Sequence, residues 1–270
     1  MKLTAKKVRT FREEIYRYYD LYGRKLPWRE TRDPYRILVS EVMLQQTQVS
    51  RVLLKYELFL KTFPTLKKLS RAKLQEVLKV WQGLGYNRRA KALHETAKLL
   101  VSKYQSSIPR ARKELMSLPG IGDYSASAVR VFSFNKPDVL LETNIRSTYF
   151  HFFFQNKTKV SDKELREVVE ATLDRENPKE WYFALMDYGA YLKKEKKGRN
   201  EKGAHYRKQS PFKGSTREIR GALVRLLTQE ARSKSALLEL PFEKEKIEAQ
   251  LLALEKEGFL KKKRKVYALE

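Results

Sequence analysis

The sequence predicts an all-α protein that ends in a small α+β appendage. Apolar residues recur at helical spacing over most of the 270 residues, and prolines punctuate the gaps between periodic segments. Alternating, strand-like patterning is scarce until the last ten residues. In order along the chain, Leu74, Val77, Leu78 and Trp81 fall at i, i+3, i+4 and i+7, and so do Ala90, Leu93, Ala97 and Leu100. Ser161 with Glu164 forms a capping-box signature that opens a helix carrying Leu165, Val168, Val169 and Leu173. Pro27, Pro34, Pro64, Pro109, Pro119, Pro137 and Pro178 lie between such segments.

The stretch 193–214, KKEKKGRNEKGAHYRKQSPFKG, breaks the pattern. It is rich in Lys and Arg, contains Gly198, Gly203 and Gly214, and reads as a basic loop or linker. Beyond it, Arg217–Glu230 places Ile219, Leu223, Leu226 and Leu227 on one face, Ser233–Leu240 forms a second segment, and a third helix carries Ile247, Leu251 and Leu254. Gly258 stops that helix, and the remainder suits a short hairpin. Three helices and a terminal β-element predict a winged helix-turn-helix over 215–270, with a generic helical cap as the alternative. The run KKKRK at 261–265 suits a phosphate-binding wing directly after a helix end, in preference to a nuclear signal.

The charge balance points to a partner. With 58 Lys+Arg against 32 Asp+Glu the formal charge is +26, a self-repulsion that a polyanion relieves. Nucleic acid is the first such partner, because each Lys or Arg that meets a phosphate releases condensed counterions. A membrane surface is the other polyanion. No segment approaches the length of apolar chain that a membrane-spanning helix needs, and the N-terminus lacks the apolar core of a signal peptide, so a soluble, intracellular protein is expected. There is no cysteine, which excludes disulfides, a thiol nucleophile and any cysteine-held metal or iron–sulfur cluster. His94, His151 and His205, spaced about 55 residues apart, do not make a metal site.

Four segments carry chemistry. The first joins Leu26-Pro27-Trp28-Arg29 to the run SEVMLQQTQV at 40–49. The second is Trp81-Gln82-Gly83-Leu84-Gly85-Tyr86, the third Leu118-Pro119-Gly120-Ile121-Gly122 leading through Tyr124, and the fourth Glu142-Thr143-Asn144-Ile145-Arg146. In the third, glycines permit positive φ and let backbone N–H groups approach an anion, while the helix N-terminus that follows favours a phosphate. Glu41 lies among Val39, Val42 and Leu44, where hydrocarbon favours the protonated carboxyl that a general acid needs.

Together these segments resemble the helix-hairpin-helix (HhH-GPD) DNA glycosylases, and most closely the adenine DNA glycosylases that act opposite oxidised guanine. The resemblance runs from about residue 8 to 190, continues weakly to 214 and leaves the C-terminal segment uncovered. It implies two helical lobes within residues 1–192 with the active site between them, then the basic 193–214 loop in place of an iron–sulfur loop, then the C-terminal appendage. It also implies a site. Glu41 matches the general acid, and Glu142, with Asn144 beside it, stands where the superfamily places an aspartate that stabilises charge developing at C1′. Tyr124 stands where lyase-type members carry a Schiff-base lysine, so a monofunctional hydrolase is expected. Trp28, Arg29, Leu44, Val49, Phe183 and Asp187 match the base pocket, as aromatic wall, hydrogen-bond donor and apolar floor. Gln46 and Tyr86 match residues that plug the duplex once a base has left the stack. Gln48, Arg88, Leu118, Gly120, Ile121, Gly122 and Arg146 complete the DNA contacts. Main-chain carbonyls of Met116, Leu118 and Ile121 match a K+ or Na+ site bridging to a phosphate, with no other cofactor expected.

Four departures stand out, the first being the Lys/Arg-rich 193–208 run in place of the iron–sulfur loop. Glu142 is longer than aspartate by one methylene, and Phe183 replaces the Gln or Glu that reads the base edge. The domain that recognises oxidised guanine is replaced by the winged-helix-like segment. The expected protein is a monomer that excises a mispaired or damaged base from double-stranded DNA, adenine first. Uracil or thymine opposite guanine and alkylated purines are alternatives, as is a non-catalytic damage-binding protein. It is expected in the cytoplasm on the nucleoid, or in the nucleus if the source is eukaryotic.

Overall fold

The computed structural model describes residues 3–204, 206 and 211–270. Fourteen α-helices are found among these residues: α1 (Ala5–Tyr22), α2 (Pro34–Leu44), α3 (Val49–Thr62), α4 (Leu66–Arg71), α5 (Leu74–Trp81), α6 (Arg88–Lys103) and α7 (Arg112–Met116), then α8 (Asp123–Phe134), α9 (Thr143–Phe153), α10 (Asp162–Thr172), α11 (Pro178–Lys194), α12 (Thr216–Leu227), α13 (Lys234–Leu237) and α14 (Lys244–Lys256). Three short strands, β1 (Arg232–Ser233), β2 (Leu260–Lys263) and β3 (Val266–Leu269), form one antiparallel sheet in the order β1-β3-β2. Among the described residues no helix is long and apolar enough to cross a membrane.

The chain divides into two compact units. One comprises Met1–Ile37, Arg110–Met116 and Ile121–Lys208, and the other Leu38–Pro109, Ser117–Gly120 and Gln209–Glu270. In the first unit α1, α8, α9, α10 and α11 pack together. Phe11 of α1 meets the rings of Tyr149, Phe152, Phe153 and Trp181, all with centroids within 5.5 Å. Ser161 and Glu164 do form the capping box of α10. The other end of α10 is closed from α1, where Arg12 donates to the carbonyls of Thr172 and Leu173 at 3.0 and 2.6 Å.

Part of the basic 193–214 segment differs from a simple linker. α11 runs on to Lys194, and residues 195–204 dock within the first unit. Val160 and the chain at 202–204 exchange backbone hydrogen bonds, Val160 N to Lys202 O at 2.9 Å and Ala204 N to Val160 O at 3.0 Å. The Lys202 ammonium donates to the carbonyls of Phe154 and Gln155 at 2.9 and 2.6 Å, just past the C-terminal end of α9. A charged donor at a helix C-terminus is favourable, so a lysine here secures what composition alone reads as loose chain. Residues 205 and 207–210 of this segment, His205 included, lie outside the described residues.

In the second unit the predicted stripes are the buried ones: Leu74, Val77, Leu78 and Trp81 of α5, and Ala90, Leu93, Ala97 and Leu100 of α6. The C-terminal module follows the order α12-β1-α13-α14-β2-β3. Its stripe differs by one position, with Ile219, Leu223, Val224 and Leu227 buried and Leu226 half-buried. The Ser233–Leu240 segment shortens to one helical turn, Lys234–Leu237, capped by the Ser233 hydroxyl. Lys261, Lys262, Lys263, Arg264 and Lys265 form the exposed β2–β3 hairpin.

Candidate functional site

In the first unit Glu142 is the N-cap of α9. One carboxylate oxygen accepts from Asn144 N and Ile145 N, both at 2.8 Å, and the other from Asn144 Nδ2 at 3.3 Å. The preferred capping side chains are shorter, so the extra methylene of glutamate is accommodated without losing the cap. The surrounding protein pushes the Glu142 pKa above the ordinary glutamate value, against the opposing pull of the Asn144 and Ile145 amides and the Arg24 charge. The carboxylate is therefore fixed in place and costly to ionise, a state suited to meeting positive charge.

Asp187 of α11 gathers two arginines of this unit. Arg29 grips it with two parallel bonds, Nη1 to Oδ2 at 2.8 Å and Nη2 to Oδ1 at 2.7 Å. Arg24 adds its backbone N at 2.8 Å and Nε at 2.6 Å. Burial raises the Asp187 pKa, but the two guanidinium groups and the Arg24 amide outweigh it and hold the carboxyl below its usual range. Arg29 Nη1 also donates to Arg24 O at 3.0 Å. Arg29, expected as a donor to the base, thus has both terminal nitrogens committed inside the protein. Phe183 is buried, stacked on Phe132 at 4.8 Å and 16°, with the Arg29 guanidinium 4.6 Å and Lys179 5.8 Å from its ring centre. Trp28 is buried on the short 3-10 turn Pro27–Arg29. Tyr124 is half-buried in the first turn of α8. Arg146, expected at DNA, makes a bidentate pair with Asp162 at 2.6 and 2.9 Å.

In the second unit Glu41 lies on α2 and is buried at 6% exposure, as its apolar neighbours predict. Leu44 and Val49 are half-buried, and Gln46 and Gln48 are exposed on the turn between α2 and α3. Gln46 has φ +54° and Tyr86 has φ +48°, both in the left-handed region that side-chain-bearing residues avoid. Such strain persists only where the surroundings enforce it, and here one side chain does so. Arg89 Nη1 donates to the carbonyls of Val42, Met43 and Gln45 at 2.8, 2.9 and 2.5 Å. Arg89 Nη2 donates to Thr47 Oγ1 at 2.9 Å and to the carbonyls of Leu84 and Gly85 at 3.1 Å. One guanidinium thereby ties the Gln46 turn to the Tyr86 turn, and its burial lowers its pKa to about 10. Sequence reasoning missed Arg89. Its only signal was an arginine directly after a Gly-rich turn, which resembles a phosphate contact.

At the hairpin, Gly120 has φ +73° and a Cβ there would come 2.7 Å from Ala92 Cβ, so glycine is required. The Pro119 carbonyl accepts from Thr96 Oγ1 at 2.9 Å. Leu118 and Ile121 are buried, while Met116, Gly120 and Gly122 are exposed. Arg88, a second expected DNA contact, pairs with Glu257 of the C-terminal module at 2.6 and 2.8 Å. No group of three His, Cys, Asp or Glu residues able to hold a metal ion occurs among the described residues.

The model of the HhH-GPD superfamily of base excision DNA repair proteins matches residues 39–174. An adenine DNA glycosylase of Buchnera aphidicola subsp. Baizongia pistaciae is 36% identical over 184 residues, which is 67% of this chain and 52% of the relative. A thymine/uracil-DNA glycosylase of Pyrobaculum aerophilum is 35% identical over 185 residues, 66% of this chain and 80% of the relative. Among solved structures, a thermostable thymine-DNA glycosylase superposes with a TM-score of 0.61 at 27% identity, covering 68% of this chain and 87% of that one. The chain spans about half the length of the adenine glycosylase it matches, and 215–270 lies outside the matched family region.

Proposed function

Because the chain belongs to the HhH-GPD superfamily of base excision DNA repair proteins, we propose that it is a monofunctional DNA glycosylase, acting as a monomer on duplex DNA and excising adenine from a mispair. The observation that carries this reading is the pair of strained turns held by Arg89, which presents an exposed amide, Gln46, and a phenol, Tyr86. A base taken out of the stack leaves a hole, and an amide that pairs with the orphaned partner and a ring that wedges between steps fill it. The hairpin around Gly120 and Gly122 holds a phosphate at the N-terminus of α8 and reads no sequence. The main-chain carbonyls of Met116, Leu118 and Ile121 would hold a K+ or Na+ ion at the same contact, where it would supply positive charge to the phosphate.

In this reading Glu41 donates its proton to the departing base as the N-glycosidic bond breaks. The bond's electron pair leaves with the base, and the positive charge that develops at C1′ meets the Glu142 carboxylate held at the N-cap of α9. Water then adds to C1′ and returns a proton to Glu41. Tyr124 supplies no amine, so no Schiff base forms and strand cleavage does not accompany excision. The exposed Lys261–Lys265 hairpin adds salt-sensitive affinity. The compartment is that of the chromosome, nucleoid or nucleus.

Phe183 favours a second substrate reading. Its ring is buried on Phe132, so no amide from this position reads the exocyclic amine of adenine. Uracil or thymine opposite guanine is the alternative, in keeping with the name of the Pyrobaculum relative. Incubating the protein with duplexes carrying a panel of mispairs and lesions, followed by alkali, decides among these readings. Alkali-dependent breaks at adenine in a mispair are expected. Breaks at uracil or thymine select the alternative, and tight binding without any break leaves a damage-binding protein.

A further inference from the structure

The C-terminal module sits directly on the turn that carries Tyr86. Thr228, which ends α12, accepts from Gln82 Nε2 at 2.5 Å through its hydroxyl and from Gln75 Nε2 at 3.2 Å through its carbonyl. Glu257, which ends α14, takes Arg88 from one side and Arg220 of α12 from the other, with bonds of 2.6 to 3.0 Å. These attachments bracket the turn on both sides, at residue 82 and at residue 88. Between them, Arg217 Nη1 donates to the Tyr86 hydroxyl at 3.0 Å.

The same guanidinium lies 5.9 Å from the Tyr86 ring centre, and Arg89 lies 5.5 Å from it. Arg217 is itself anchored: its Nη2 donates to Pro211 O at 3.3 Å, and its guanidinium lies 6.0 Å from the Phe212 ring. Arg89 fixes the backbone of the turn through the Leu84 and Gly85 carbonyls, and Arg217 bonds the hydroxyl at the tip of the tyrosine. A ring that must enter a duplex gains from being aimed beforehand.

We propose that Arg217 is a positioning residue that aims the Tyr86 ring, which makes the C-terminal module a working part of the base-flipping apparatus as well as an added DNA-binding surface. This rests on the reading of Tyr86 as the wedge.

The test uses the full chain and a probe that does not depend on which base is excised: a duplex with one tetrahydrofuran abasic analogue opposite 2-aminopurine. Its fluorescence reports unstacking when the wedge fills the hole, and the unmodified duplex measures general affinity. Arg217→Ala and the mild Tyr86→Phe remove the same hydrogen bond. Each is expected to lower the preference for the abasic duplex about three- to tenfold and to shrink the fluorescence change. The double variant should be no worse than either single one, and Arg217→Lys, which still donates to the hydroxyl, should recover most of the loss. Equal weakening on both duplexes, additive losses, or a gain on Arg217→Ala would overturn the proposal. Tyr86→Ala separates the two layers. If it leaves the preference intact, the wedge reading falls and the proposal with it. If it destroys the preference while Arg217→Ala does not, the proposal alone falls.

Discussion

Gly189 lies against the backbone of Asn144, so closely that a Cβ built on Gly189 would come 2.1 Å from the Asn144 carbonyl oxygen and 2.5 Å from its carbonyl carbon. α9 and α11 meet there, and Thr148 Oγ1 bridges them by donating to Leu185 O at 3.1 Å. The contact sets where the N-terminus of α9, and with it Glu142, stands relative to Asp187 and Arg29 in the same unit. Gly189→Ala forces two backbones apart with no flexible side chain to yield. We expect a loss of at least about 2–3 kcal/mol in urea unfolding. We also expect excision to slow by about 10²-fold where the variant stays folded, since an ångström at the reacting centre costs that much.

Asp187 serves two arginines, and Arg29 has only 7% of its side chain exposed. Asp187→Ala leaves that guanidinium buried and unpaired, which costs about 3–5 kcal/mol and is read in the same unfolding measurement. The acid sign follows from a folded pKa below the ordinary aspartate value. The contribution is fully present above the ordinary value and is lost as pH falls from there through the folded one. The variant's deficit should therefore hold across neutral and mildly acidic pH and narrow only in strong acid. A deficit that disappears between pH 5 and 6 would contradict this assignment.

Glu142 shifts the other way. Its surroundings raise its pKa, and it stabilises a developing cation only when ionised. The single-turnover excision rate should therefore fall on acidification at a pH above the ordinary glutamate range. Glu142→Gln should abolish that limb and slow excision by about 10²-fold or more. Glu142→Asp asks whether the pocket suits the longer arm, since the cap bonds to Asn144 and Ile145 are made with glutamate in place. A slower rate is expected, and a gain would show that the longer arm is tolerated rather than used.

The helices were legible in the sequence because burial follows a short period. The stripes of α5 and α6 and the Ser161–Glu164 cap could be placed from spacing alone. Glu41 could be read as buried from its own neighbours. What could not be read depends on partners far apart in the chain. Gly189 gives no turn signal because it lies within α11, and its need arises only from Asn144. Phe183 showed that an amide was missing, but not that its ring was committed to Phe132. Arg88 and Arg146 looked like free cations for phosphate, whereas each is paired, with Glu257 and Asp162. The seating of the C-terminal module rests on Gln82 with Thr228 and Arg217 with Tyr86, and neither pairing leaves a periodic trace.

Arg89 provides the sharpest contrast between charge and geometry. Its two terminal nitrogens reach six oxygens on two turns, five of them backbone carbonyls and one the Thr47 hydroxyl. Lysine keeps the charge but offers three donors from a single point, which cannot span both turns. Arg89→Lys should therefore cost nearly as much as Arg89→Ala, about 2–3 kcal/mol in thermal unfolding. Hydrogen exchange should rise at both the 45–48 and the 83–87 turns, because releasing one releases the strained backbone of Gln46 and Tyr86 together. A purely electrostatic role predicts the opposite ranking, with lysine close to wild type, and exchange altered at neither turn.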